Sequence, residues 1–124
     1  MPPPPLFFDR AGKPLTLAEA DALLSDAEYV TVAATLIVSA DFPGKACIVS
    51  TVWLGCNYNL FGGPPVLFET MVFSDSRPVD GACWRYANEA QALAGHSDVV
   101  ASILTTVPHA ALVDLPSPTA PPSP

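Results

Sequence analysis

Positive charge is what this sequence has least of. Five lysines and arginines stand against twelve carboxylates, a net charge of −7. Arg10, Lys13, Lys45, Arg77 and Arg85 are scattered and form no stripe, which disfavours binding along a nucleic-acid backbone. The carboxylates are spread as well, without the dense acidic run that a nucleic-acid mimic needs. Long apolar runs are also missing. The most continuous one, residues 29–39, is interrupted by threonines and falls short of the ~20 residues of a membrane-spanning helix. The N-terminus, MPPPP, has neither the basic nor the apolar region of a secretory signal, so a cytoplasmic protein away from membranes is expected.

Catalytic signatures are missing too. The three cysteines, Cys47, Cys56 and Cys83, are odd in number and form no CxxC pair, so free thiols are expected and a zinc site is not. No GxSxG elbow and no GxxxxGK[ST] phosphate loop occurs. Neither a metal, a cofactor nor a catalytic group is expected.

What is present is half apolar, with a mean hydropathy of +0.36, and long enough for one domain with a small core. Residues 1–5 read as a Pro-rich arm, 6–108 as the domain and 109–124 as a disordered Pro/Ser tail. The domain is organised around residues 49–73, two strand-like runs flanking a loop of Gly, Pro and Asn.

Residues 6–9 read as a first strand and Gly12 as the positive-φ position of the turn after it. Thr16-x-x-Glu19 fits a capping box. Leu17, Ala20, Leu23, Leu24 and Ala27 then recur at helical spacing. Residues 29–39 form a strand with apolar residues on both faces: Val30, Val32, Ala34, Leu36 and Val38 on one, Tyr29, Thr31, Ala33, Thr35 and Ile37 on the other. A Pro-Gly turn, a strand over 46–55, the loop to Pro65 and a strand over 66–74 follow. Residues 75–81 read as a polar turn and 82–87 as a short last strand. Asn88 caps a second helix, with Gln91 in the capping-box position and Gly95 marking close packing. The predicted fold is α+β in the order β-α-β-β-β-β-α: a small antiparallel sheet of four or five strands with two amphipathic helices on one face. An open second face is expected to carry Trp53 and Phe73 and to need a partner.

The segments STVWLG (50–55), FGGPP (61–65), LFETMVF (67–73) and RYANEAQALAGH (85–96) resemble a family of small actinobacterial and actinobacteriophage proteins. The pattern shared by that family is STVWLG, a loop, FGxGPP, FETMVF and RYxxxxEAxAGH. The opening Phe8-Asp9-Arg10-x-Gly12-x-Pro14 also fits, so the resemblance spans roughly residues 7–100. Family members often read Leu-Asp-His where this chain has Cys56-Asn57-Tyr58. The resemblance implies a phage or prophage context, with the host cytoplasm as compartment, and no reaction.

Glu69 is the only charge in either run and sits mid-strand, where a carboxylate is costly unless paired. It reads either as structural, paired with Arg85 or turned to solvent from an exposed sheet face, or as functional, a general base or ligand anchor. His96 falls on the apolar stripe of its helix and reads as a satisfied core histidine; a hydrolase would need it beside a nucleophile. Trp53, Asn57, Tyr58, Glu69, Arg85 and Tyr86 are the candidate binding surface. The function expected is that of a non-enzymatic, phage-type accessory protein acting on a protein partner or as a homodimer. The alternative is a small-molecule-binding or hydrolytic pocket formed by Glu69, Arg85, Tyr58 and His96.

Overall fold

Short polar side chains start each helix. A computed structural model describes residues 5–39, 46–59, 61–74, 77–107 and 109–113. In it, Asp9 Oδ1 accepts from the amides of Ala11 and Lys13, and Gly12 takes φ +88°. That closes a hairpin of β1 (Phe7–Phe8) and β2 (Pro14–Leu15). The Thr16–Glu19 capping box then opens α1 (Leu17–Leu24) as expected: the hydroxyl accepts from the Glu19 amide and the carboxylate from the Thr16 amide. The Thr16 amide bond holds the Glu19 carboxyl below its ordinary pKa. Asp26 caps a single extra turn, α2 (Ala27–Val30), so the strand expected from Tyr29 begins two residues later, as β3 (Thr31–Ser39).

β4 (Ala46–Trp53), β5 (Phe68–Ser74) and β6 (Arg77–Tyr86) follow, each antiparallel to the one before. β6 is longer than expected because the predicted turn over 75–81 is mostly strand. Gly81 at φ +77° and a register shift between Met71 and Phe73 absorb the extra residues opposite β5. α3 (Glu89–Thr106) opens on Asn88, whose side chain accepts from the Gln91 amide. The Gln91 side chain reaches back one residue further than a capping box requires, to the Ala87 amide. His109, at φ +58°, turns the chain into β7 (Ala110–Val113), which pairs with β3.

That last strand corrects the assignment of residues 109–124 to a tail. Four consecutive apolar residues after the helix suffice to add an edge strand; they are too few to show periodicity. The first strand is corrected as well: it pairs in its own hairpin and touches the main sheet by a bridge to Cys56. The expected turn over 40–45, the arm up to Pro4 and the tail beyond Val113 lie outside the described residues.

The architecture is α+β, a five-stranded antiparallel sheet in the order β6-β5-β4-β3-β7 with helices against it and the small hairpin at one end. α3 lies across all five strands. Beneath it are two clusters. Ile37, Val49, Val72 and Ala82 meet Val99 and Val100 of the helix. Phe8, Trp53, Leu67 and Phe68 meet Ala92, with Leu23, Tyr29 and Val30 closing the end. Arg10 ties that end together. Its Nε lies 2.5 Å from Glu89 Oε1, its Nη1 donates to the Tyr29 carbonyl, and its guanidinium sits 5.5 Å over the Tyr29 ring.

Gly95 is the close-packing point expected of it. A methyl group there would overlap the ring of Tyr86. A bulge between Thr31 and Ala33 breaks the predicted alternation of β3. Val32, expected on the Leu36 side, therefore packs toward Trp53, and Val30, expected there too, does so because it belongs to α2 and not to the strand.

Candidate functional site

Alternation along the strands decides what each face of the sheet carries. Thr51, Trp53, Phe68 and Thr70 are fully buried under the helices. Their neighbours Ser50, Val52, Glu69 and Met71 therefore point the other way, together with Leu36, Val38, Ile48, Phe73 and Val113, their cross-strand companions. No described element covers this second face. Ile48 and Val113 are exposed; Leu36, Val38, Met71 and Phe73 are half-buried by one another.

The Glu69–Arg85 ion pair lies at the β5–β6 corner of this face. Arg85 is cross-strand from Glu69, and its Nε donates to Glu69 Oε2 at 3.0 Å. Tyr58 reaches over from the loop after β4, with the Arg85 guanidinium 5.0 Å from its ring centroid. The Cys83 thiol donates to the same carboxylate oxygen at 3.5 Å. The hydrogen bond to Glu69 raises the pKa of Arg85 further. Burial, with the Glu69 charge added, pushes the Cys83 thiol up. The Tyr58 phenol is also pushed up, chiefly by charge on Cys56. Raised thiol and phenol pKa values keep both groups protonated near neutrality, the opposite of what an activated nucleophile needs.

Of the six candidate surface residues, the structure brings Tyr58, Glu69 and Arg85 together and separates the other three. Trp53 is a correction. It is 1 % exposed, stacks edge-on against Tyr29 with centroids 5.0 Å apart, and donates its Nε1–H to the Phe8 carbonyl. It therefore does not share the open face with Phe73. Tyr86 is likewise on the helix side, half-buried against Gly95. Asn57 is turned to internal work, its Oδ1 accepting from the amides of Asn59 and Val66. Asn59 completes the loop by donating to the carbonyls of Gly62 and Pro64, where Gly62 and Gly63 take the positive φ expected of this reversal.

His96 lies on the helix side, 6 % exposed. Its Nδ1 is 2.7 Å from Thr51 Oγ1 and its Nε2 2.8 Å from Thr35 Oγ1; the Thr51 and Thr70 hydroxyls are 2.5 Å apart. A neutral imidazole has one donor and one acceptor, so a single-direction chain through Thr35, His96, Thr51 and Thr70 satisfies every group. Burial lowers the pKa of His96 and favours that neutral form. The expected core histidine is thus what the structure holds, and the sheet separates it from Glu69 and Arg85.

The sequence reading missed Ile48, whose side chain stands at the centre of the open face, and Phe61, 98 % exposed at the loop tip. The alternation of β4 carried the first signal; exposure of the second had no signal in the sequence. No group of three or more metal-ligating side chains occurs among the described residues, and no described helix is long and apolar enough to cross a membrane. No protein-family model matches the chain, and no curated protein or solved structure matches it.

Proposed function

We propose that this protein acts by docking another protein surface on the uncovered face of its sheet, without catalysis, as an accessory protein of the phage type that its sequence resembles. One observation carries the reading. The outward positions of β3, β4 and β5 are mostly apolar, Leu36, Val38, Ile48, Val52, Met71 and Phe73 among them, with Ser50 and Glu69 the polar exceptions, where a solvated face would be polar throughout. The anatomy is that of an interface, with an apolar centre and Tyr58, Arg85 and Glu69 at one rim. Glu69 is engaged by Arg85, and His96 faces the other side of the sheet, which supports docking over pocket chemistry.

The test is the double variant Ile48→Lys/Val113→Lys, made at the two exposed apolar positions of the face. A docking face is dispensable for the fold of one chain. The variant is therefore expected to melt cooperatively within about 5 °C of the wild type, as surface substitutions do. Loss of the cooperative transition would mean that the face belongs to the chain's own core and would overturn the proposal.

A further inference from the structure

We infer that the occupant of this face is a second copy of the chain, packed sheet against sheet with the β4 strands crossing at the centre. The inference rests on the docking role proposed above and names its partner. One feature favours a copy over another partner, and a second bears on how tightly it would be held.

The first is where the charge lies. The chain carries −7, so two copies repel unless their carboxylates are kept apart. Five of the twelve carboxylates, Glu19, Asp21, Glu28, Glu89 and Asp98, are on the helices. Those helices pack on the covered side. Among the outward positions of β3, β4 and β5 the open face carries one carboxylate, Glu69, already paired with Arg85 at its rim. Two copies meeting through these faces form a helix–sheet–sheet–helix sandwich. The helical carboxylates are then at the far outside, and the only carboxylate on the outward positions of β3, β4 and β5 is paired. A strongly basic partner would find its complement on the helices instead.

The second is area. Five strands spaced by about 4.8 Å, each contributing about seven residues of about 3.4 Å, make a footprint of roughly 550 Å² per copy. Two copies then bury about 1,100 Å², just below the ~1,200–2,000 Å² of stable interfaces. That area suits a reversible dimer whose monomer is folded. It also fits the half-burial of Leu36, Val38, Met71 and Phe73, which leaves a continuous but shallow surface. Aligned sheets pack about 10 Å apart at about −30°, a geometry that an isologous twofold satisfies with identical strands.

Sedimentation velocity of the full chain from about 1 to about 500 µM tests this, a range that brackets a micromolar dissociation constant. The expected result is a shift from 13.0 kDa monomer to a species of twice that mass. Ile48→Lys, central on the face, is expected to weaken association at least about tenfold, while Leu93→Lys, exposed on α3, leaves it unchanged. Added salt is expected to strengthen the dimer by screening repulsion between the helical carboxylates of the two copies. A wild type that stays monomeric throughout would overturn the second copy as occupant and leave the docking reading to its own melting test. A dimer that survives Ile48→Lys and is lost in Leu93→Lys would place self-association on the helical layer and overturn the inference directly.

Discussion

The two faces of the sheet are built from the same residue types and have opposite fates. Under α3, Trp53, Phe68, Thr51 and Thr70 are sealed, and every polar group among them is bonded. On the other face Ile48, Phe73 and the Glu69–Arg85 pair remain in reach of solvent or a partner. The comparison teaches that apolar content alone does not distinguish core from interface. The difference lies in polar bookkeeping. The covered face tolerates hydroxyls and an imidazole only because they satisfy one another, whereas the open face keeps its charges at the rim.

The sharpest way to break the comparison is to empty the covered face. Trp53→Ala removes a 1 %-exposed ring, its edge contact with Tyr29 and its hydrogen bond to Phe8. It is expected to cost about 3–5 kcal/mol in urea denaturation. An effect below ~1 kcal/mol would deny that this face is the core.

His96→Ala comes next. It removes the imidazole partner of Thr35 and leaves Thr51 bonded to Thr70 alone, beside a cavity, for an expected loss of about 2–4 kcal/mol, read from the same melts. The same residue sets a pH dependence. Its folded pKa is lowered by burial, so between that value and the ordinary ~6.5 the unfolded chain binds more protons than the folded one. Stability from this group is therefore complete above pH ~6.5 and is lost as pH falls through the folded value. The stability gap between wild type and His96→Gln is expected to narrow on acidification from pH 8. A constant gap would mean that the imidazole titrates normally in the fold.

The smallest effect belongs to the open face. Glu69→Gln removes an ion pair whose Arg85 partner is 48 % exposed, and a loss under about 1 kcal/mol is expected. A clear gain in melting temperature would show instead that the carboxylate is strained where it sits.

Local chemistry was legible in the sequence wherever one residue and its near neighbours decide the outcome. Thr16 with Glu19, Asn88, Gly12 and Gly62 each act over a few residues and are found as expected. His96 was legible through helical spacing and Gly95 as a glycine kept inside a helix at a cost, and both lie on the packed side of α3. The Glu69–Arg85 pair was one of the readings, and cross-strand register selected it. The misplacement of Trp53 and Tyr86 has one cause. Trp53 and Tyr86 have the right strand parity, but with both faces apolar, parity does not say which face the helices take.

Local propensity and composition set the element types, most of their order, their caps and turns, and the scarcity of positive charge. The tertiary structure alone decided which side of the sheet became core, where bulges at Thr31–Ala33 and Met71–Phe73 reset the alternation, and that Ala110–Val113 joins as an edge strand. Those outcomes depend on contacts between residues tens of positions apart. Their energies come from burying one particular surface against another, a quantity that exists only once the chain has folded.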